Sequence, residues 1–393
     1  MTHEEIIFQP EILWFDPAGS PPDEELRAWW ADPSNPENPF SKFIGNKAAV
    51  RRLCRAAKFA FGKANRECSD QSFALLGPSS TGKTTLARMF AELLGLPFIE
   101  IDSKSAKTIN DVVGAIAKVL EDTPIRGCQY ETLALQDLAD DCDDPEFVVP
   151  PCVVFIDEAH NLSDKVEQAL LKAIEKKDRQ ITCSLNNGQT CSLDTSHICW
   201  MIATTDRGAL FDAFDTRFQK IRLHLYTLDE IAQIVQINNP DWDMSICKLV
   251  AQYGGRVPRE ALDFATEMRV ESDGIDDSWE NIAARVAEDN EIDPFGMTYQ
   301  RVDILTALGQ GPIAKGNMGS VVDCKEAELV KFVMPALLAS TEDQLPLVKI
   351  TSKGYCITQA GLKELDKRGI SYDTELFSKD TRLSSRLNRN TDN

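Results

Sequence analysis

Residues 73–85 read FALLGPSSTGKTT, a short apolar run that breaks into a glycine-containing loop. The loop has the spacing Gly77-x-x-x-x-Gly82-Lys83-Thr84, which is the phosphate-binding loop pattern. Its glycines let the backbone curl so that successive amide groups point at phosphate oxygens, and the helix predicted to start near Lys83 adds the positive end of its dipole. The pattern therefore predicts a nucleoside triphosphate site between a strand and an amphipathic helix.

The side chains of this loop have distinct predicted roles. Lys83 is expected to neutralise the β- and γ-phosphates of ATP, and the hydroxyl of Thr84 to ligate the Mg2+ that bridges them. Loss of that hydroxyl in Thr84→Ala should therefore weaken metal-dependent hydrolysis more than folding. The positions assigned to the nucleotide site in this loop are Gly77, Pro78, Ser80, Thr81, Gly82, Lys83, Thr84 and Thr85.

A second strand is predicted at residues 152–156, an uninterrupted apolar run that ends in Asp157 and Glu158. Such a run is short enough for a strand that is buried on both faces of a parallel sheet. Ligands bind at the carboxyl edge of these sheets, so Asp157 can hold Mg2+ and Glu158 can polarise the attacking water. We predict that both acids are catalytic.

Residues 157–160 read DEAH, a tetrapeptide found in DEAH-box helicases. The chain has no room for the second RecA-like domain of that class and lacks its glycine-arginine motor motifs, so we reject this interpretation. We expect His160 to stand at a helix start or beside the catalytic groups rather than to act as a catalytic base.

A third strand is predicted at residues 198–205, and its last residues, Thr204 and Thr205, carry hydroxyls that could sense the γ-phosphate or the attacking water. Two arginines follow beyond the core strands. We predict that Arg217 is an arginine finger, which can be worth about 10^3 to 10^5 in rate when it acts across a subunit boundary. Arg217 and Arg259 could instead pair with acids on this acidic surface.

The order of these motifs resembles the RuvB branch-migration ATPases of the AAA+ class over residues 39 to about 372. The motifs that carry the resemblance are Phe43-Ile-Gly-Asn46, the phosphate loop, Asp157-Glu158, Ala203-Thr-Thr205, Asp215-Thr-Arg-Phe218, Tyr226 and Val257-Pro-Arg259. Ser79-Ser80-Thr81 replaces the family's glycine-rich loop interior. The resemblance implies an α/β fold: an AAA+ P-loop domain with a parallel sheet, a helical lid and a C-terminal winged-helix domain.

The resemblance also assigns roles to individual residues. It makes Arg217 the finger that acts on the neighbouring subunit and Arg259 the second sensor on the lid. It also adds Ile44, Thr204 and Tyr226 to the nucleotide-binding positions. The family's cofactors, ATP and Mg2+, and its homo-oligomeric ring are implied in the same way.

The C-terminal third of the chain has the pattern of a helix at residues 298–308, a hairpin over 347–358 and a helix at 360–367. This order is similar to a winged helix, the last domain of RuvB, in which basic wing residues touch the DNA backbone. By that resemblance the predicted DNA contacts are Lys349, Lys353 and Tyr355. Ile350 and Tyr355 stand where the family carries further arginines, and the two lysines could equally be ordinary solvated charges.

Composition limits where DNA could bind. The chain of 393 residues has a formal net charge of −20, which is about −21 before residue 295 and +1 after it. Any DNA contact is therefore expected near the C-terminal end and should be salt-sensitive. No apolar run is long enough to span a bilayer and no targeting segment is evident, so we predict a cytoplasmic protein without a membrane partner.

Other segments could select partners. Residues 181–193 alternate apolar and polar residues around Asn187-Gly188, which predicts a hairpin. In RuvB a hairpin at this place docks the partner RuvA, but a plain sheet-edge hairpin explains the pattern equally well. Residues 1–38 are acidic and rich in Trp and Pro, and could be a docking arm or a disordered leader. No role is predicted for 121–150, and weak nucleic-acid contact is possible for the tail.

Together these patterns predict five segments: an extension at 1–38, an AAA+ domain at 39–226, a helical lid at 227–292, a winged helix at 293–372 and a polar basic tail at 373–393. The predicted function is a ring, a hexamer by resemblance, that hydrolyses ATP to drive branch migration of four-way DNA junctions. The alternatives are an AAA+ loader or initiator, which would use ATP as a switch, and a DNA-binding regulatory adaptor, which would not need hydrolysis.

Overall fold

The chain divides into two units, Met1–Leu223 and His224–Asn393. The computed structural model describes residues 31–61, 71–122, 146–149, 151–175, 179–184, 190–205, 210, 212–255, 257–322, 324–325, 329, 333–338, 341 and 343–374. The acidic arm up to residue 30, residues 123–145 and the tail after residue 374 lie outside this set.

The first unit is built on a parallel sheet. Its elements in chain order are α1 (Lys47–Phe61), β1 (Phe73–Leu76), α2 (Lys83–Leu94), β2 (Phe98–Asp102), α3 (Ile109–Asp122), β3 (Glu146–Val148), β4 (Cys152–Asp157), α4 (Asp164–Ala173), β5 (Gln180–Ser184), β6 (Thr190–Asp194), β7 (Ile198–Thr204), α5 (Asp212–Asp215) and β8 (Gln219–Arg222). Five strands pair in parallel in the order β2-β4-β7-β1-β8. The predicted α/β class and parallel sheet are confirmed.

Alternating side chains of the central strands enter two separate cores. Val154 of β4 and Trp200 of β7 pack on one face of the sheet, with residues of α3 and α4. Phe155 and Met201, which follow them in sequence, pack on the other face with residues of α1 and α2. Because successive side chains of a strand point to opposite faces, a sheet covered by helices on both sides requires the continuous apolar runs that the sequence contains.

A second, smaller sheet has the order β3-β6-β5. Strands β5 and β6 pair antiparallel, with Cys183 directly opposite Cys191. This pairing confirms the predicted hairpin, whose tip at residues 185–189 lies outside the described part of the chain.

The second unit begins with four helices, α6 (Leu228–Asn238), α7 (Met244–Tyr253), α8 (Pro258–Glu271) and α9 (Trp279–Asp289). Thr227 and Glu230 form a reciprocal capping box at the start of α6, which satisfies two otherwise unpaired backbone donors. The helices bury one apolar core, and Tyr226 lies within it. We refer to α6–α9 as the four-helix module.

The remaining elements form a terminal module with its own apolar core: α10 (Tyr299–Gly309), α11 (Met334–Leu338), β9 (Val348–Thr351), β10 (Gly354–Ile357) and α12 (Gln359–Lys367). Strands β9 and β10 form an antiparallel hairpin. On its other side, Tyr355 of β10 exchanges both backbone hydrogen bonds with Ile313, at 2.8 and 3.0 Å.

The position of Tyr355 corrects one predicted DNA contact. Its side chain is only 4% exposed and belongs to the apolar core of the terminal module. Tyr355 shares this buried face of β10 with Ile357, two residues further along the strand. The side chain therefore cannot lie against a DNA backbone.

Candidate functional site

The phosphate loop joins β1 to α2 through two special glycine positions. A Cβ atom on Gly77 would lie 2.6 Å from the carbonyl oxygen of Leu223, so only glycine fits beside that backbone. Gly82 has φ +81° and immediately precedes the first residue of α2, Lys83. Ser80, inside the loop, also has a positive φ of 60°, which is uncommon for a residue with a side chain. The loop thus adopts a tight curl that the sequence pattern predicts.

Lys83 is folded back onto its own loop. Its Nζ atom donates hydrogen bonds to the carbonyl oxygens of Gly77 (3.0 Å) and Pro78 (2.7 Å), and the residue is only 6% exposed. Burial lowers the pKa of Lys83 from its ordinary value, while the nearby carboxylates of Asp157 and Glu158 oppose that shift. A phosphate anion bound in this loop could replace the two carbonyl oxygens as the hydrogen-bond partner of the ammonium group.

Asp157 ends β4 within reach of the phosphate loop. The Oγ1 atom of Thr84 donates to Oδ2 of Asp157 across 3.2 Å, and Oδ1 of Asp157 accepts the backbone N–H of Glu158 at 2.8 Å. A hydroxyl and a carboxylate are hard oxygen donors of the kind Mg2+ uses together with substrate phosphates. The two residues predicted as metal ligands therefore lie side by side and fit that ion.

Glu158 occupies a left-handed backbone conformation, with φ +51° and ψ +40°. Such a conformation is costly for a residue with a side chain and persists where neighbours enforce it. Here the hydroxyl of Ser103, which follows β2, donates to the carbonyl oxygen of Glu158 at 2.8 Å. Ser103 was not predicted, because nothing in its local pattern distinguishes it from any other loop serine.

His160 connects the carboxylate of Glu158 to the end of β7. Its Nε2 atom lies 3.2 Å from Oε2 of Glu158, and its Nδ1 atom lies 3.0 Å from Oγ1 of Thr204. In the tautomer with the proton on Nε2, the ring donates to the Glu158 carboxylate and accepts the Thr204 hydroxyl at Nδ1. His160 therefore lies beside the catalytic groups, one of its two predicted positions, and its contact with Thr204 was not predicted.

Arg217 lies just beyond α5 and is engaged within its own subunit. Its Nη2 atom forms an ion pair with Oε1 of Glu175 at 2.8 Å, and its Nη1 atom donates to the carbonyl oxygen of Ala213. The Arg217 side chain is 29% exposed. The predicted finger thus pairs with a carboxylate, which was its alternative predicted role, although its side chain remains partly exposed to solvent.

The other nucleotide positions predicted in the first unit differ in how far they are exposed to solvent. Ile44 is half-buried, Thr85 is exposed in the first turn of α2, and Thr81 is buried with its hydroxyl on the carbonyl of Pro78 at 2.9 Å. Thr204 is 1% exposed and Thr205 is exposed.

Tyr226 and Arg259 belong to the second unit. Tyr226 is buried in the four-helix module, and Arg259 is exposed in the first turn of α8. Their roles toward nucleotide stay predictions.

Two of the three predicted DNA contacts remain accessible. Lys349 and Lys353 are exposed on the hairpin of the terminal module. Within the described part of the chain, neither lysine forms an ion pair with a carboxylate.

Comparisons with known proteins agree with this geometry. Residues 73–225 match the family described as ATPase family associated with various cellular activities (AAA). The RuvB Holliday junction branch migration motor of Thermotoga maritima is similar in fold, with a TM-score of 0.58 and 21% identity over 82% of this chain and 95% of that one. A variant of the same protein gives a TM-score of 0.60 and 21% identity over 83% and 96%.

At this level of identity the likeness concerns the fold. Among the described residues, no helix is both long enough and apolar enough to cross a membrane. The chain carries an AAA domain at residues 73–225, and its fold resembles that of RuvB.

Proposed function

We propose that this chain is an ATP-driven DNA motor of the RuvB type, which assembles into a hexameric ring and drives branch migration of Holliday junctions. The observation that carries the proposal is the contact between Thr84 and Asp157, with Glu158 next in sequence, in a fold similar to that of a branch-migration motor. An ATP-binding fold without the second acid would support binding alone.

Each residue of the site has a task in hydrolysis. Lys83 leaves the carbonyls of Gly77 and Pro78 and pairs with the phosphates, while Thr84 and Asp157 hold Mg2+. When bound, Mg2+ neutralises charge on the phosphate oxygens. Glu158 orients and polarises the attacking water, and Thr204 positions it from the end of β7.

Assembly completes the site through Arg217. In the isolated subunit this guanidinium pairs with Glu175 at the surface, where an ion pair is worth no more than about 1 kcal/mol. A phosphate group of a neighbouring subunit's nucleotide competes readily with one such carboxylate, because it offers several charged oxygens. Hydrolysis then depends on the ring, and Arg259 reports the nucleotide state to the lid, which is the four-helix module.

We assign the terminal module to the winged-helix class. An isolated bridge between Ile313 and Tyr355 extends the two-stranded β9–β10 hairpin by one residue, and the module also contains helices α10, α11 and α12. Lys349 and Lys353 on the hairpin contact the DNA backbone in this proposal. The β5–β6 hairpin of the first unit is the proposed docking site for a RuvA-like partner.

The test is ATP hydrolysis by the purified protein without DNA, with linear duplex and with a four-way junction, using Lys83→Ala and Arg217→Ala for comparison. We expect stimulation by DNA that both substitutions abolish, followed by junction unwinding in a gel assay. Hydrolysis that no DNA stimulates would favour an ATP-switched loader. Unchanged activity of the ATPase-dead variants in cells would favour an adaptor.

A further inference from the structure

Helix α1 is strongly basic in an otherwise acidic protein. It carries five cations and no acid over Lys47–Phe61, although the whole chain has a formal net charge of −20. The cations are Lys47, Arg51, Arg52, Arg55 and Lys58, and all of them are exposed.

Four of these cations lie along one line on the helix surface. At about 100° per residue, positions 47, 51, 55 and 58 fall within roughly 80° of one another. Leu53 and Ala57, on the opposite side of α1, are fully buried in the core between the helix and the sheet. The basic line therefore faces away from the core.

This arrangement does not serve the stability of the helix. Lys47 and Arg51, and likewise Arg51 and Arg55, stand four residues apart, where like charges weaken a helix. Arg55 and Lys58 stand three residues apart, where like charges also repel each other. Lys47 also lies in the first turn, where the helix dipole disfavours a positive charge. Acidic residues between these cations would have stabilised the helix through i,i+4 ion pairs, and the helix has none.

Neighbouring acidic side chains do not neutralise the positive charge of this basic line. Within the described ranges, none of the five cations forms an ion pair with a carboxylate, and the hydrogen bonds of Arg52 and Arg55 go to the backbone carbonyls of Lys220 and Arg51. Elsewhere in the same unit Arg88 pairs with Glu100, and Lys220 with Asp215.

We propose that the exposed face of α1 binds the phosphodiester backbone of duplex DNA without regard to sequence. The inference rests on the proposed function and adds a DNA-binding surface on the first unit, separate from the terminal hairpin. From position 47 to 58 the line extends about 16 Å. Since one strand of duplex presents a phosphate every ~3.4 Å along the axis, it can lie along about five phosphates.

The experiment measures binding of a short fluorescent duplex by anisotropy over a range of salt concentrations. The test variant is R51Q/R55Q/K58Q, and the matched control is K104Q/K107Q/K118Q, which removes three exposed lysines from the same unit. A third variant, K349Q/K353Q, reports on the terminal hairpin. Thermal melts confirm folding, and light scattering reports the oligomeric state of each variant.

We expect the test variant to bind roughly tenfold or more weakly at 0.1 M salt, with a salt slope smaller by about 2.7, because each lost phosphate contact removes about 0.9. The control variant should match the wild type. Equal binding by test and control variants, with DNA-stimulated hydrolysis intact, would overturn this inference and leave the proposed function standing.

Two further outcomes also overturn the inference. If the test variant fails to assemble but binds DNA normally per assembled particle, the basic line is a contact for the acidic surface of another subunit. If the wild-type protein neither binds duplex nor responds to it in hydrolysis, the proposed function fails as well.

Discussion

The hydroxyl of Thr84 lies 3.2 Å from the Oδ2 atom of Asp157, although 73 residues separate them in the chain. Thr84 follows β1 and Asp157 ends β4, and in the sheet only β7 lies between these two strands. All three strands run parallel, so their carboxyl ends meet at one edge. That edge brings the loop, the acids and Thr204 together.

Replacing Thr84 tests its role as a metal ligand. Thr84→Ala should lower Mg2+-dependent hydrolysis by roughly 10- to 100-fold, the range seen when a group that supports a metal site is lost. The melting temperature should change little, since the hydrogen bond of the hydroxyl to Asp157 is long, at 3.2 Å. Thr84→Ser keeps the hydroxyl and should retain most activity. Equal losses in both variants would assign Thr84 a packing role instead.

His160 is expected to act as a positioning residue for Glu158 and Thr204. His160→Ala should reduce kcat by roughly tenfold or more with little change in ATP affinity, because small misplacements of reacting groups are costly. His160→Asn offers a polar atom near the Nδ1 position and His160→Gln one near Nε2, so the pair separates the Thr204 contact from the Glu158 contact. We expect partial rescue by His160→Gln. A weaker affinity for ATP with unchanged kcat would rule out positioning.

The ion pair between Glu175 and Arg217 should restrain the finger. Glu175→Gln should raise DNA-stimulated turnover by up to about fivefold, because an exposed pair contributes at most about 1 kcal/mol. The double variant with Arg217→Ala should be as inactive as Arg217→Ala alone. A fall in turnover in Glu175→Gln would mean that the carboxylate holds Arg217 in its productive orientation.

Gly77 should be intolerant of any side chain. A Cβ atom there meets the Leu223 carbonyl oxygen at 2.6 Å, so Gly77→Ala should destabilise the fold by at least about 1–3 kcal/mol and weaken nucleotide binding. Gly114, inside α3, has open space around the position of a Cβ atom. Gly114→Ala should therefore stabilise the protein by about 0.5–1 kcal/mol. Urea unfolding of both variants measures the contrast, and similar effects would refute the close approach at Gly77.

Features set by local pattern were predictable from the sequence. The loop at Gly77–Thr84, the buried strand that ends in Asp157 and the hairpin around residues 181–193 each depend on short-range spacing, and the structure confirms all three elements. Parallel pairing then follows from strands that are apolar on both faces.

The partners that hold Glu158 and Arg217 in place were not predictable. Ser103 donates a hydrogen bond to the carbonyl oxygen of Glu158, and Glu175 forms an ion pair with Arg217. Only the folded chain brings these residues together. Tyr355 was wrongly predicted to contact DNA because tertiary packing, rather than the local sequence, decides which face of β10 meets the core. The left-handed backbone of Glu158 is likewise imposed by tertiary contacts rather than by its residue type.

The most direct measurement compares ATP affinity and phosphate release in the Glu158→Gln variant. The control is Glu92→Gln, at an exposed position on α2. The variant should bind ATP as tightly as the wild type while its steady-state turnover falls by about 10^2- to 10^4-fold, because the residue that polarises the water is lost. The control should be unaffected. Normal steady-state hydrolysis by Glu158→Gln would remove Glu158 from catalysis and with it the proposed motor site.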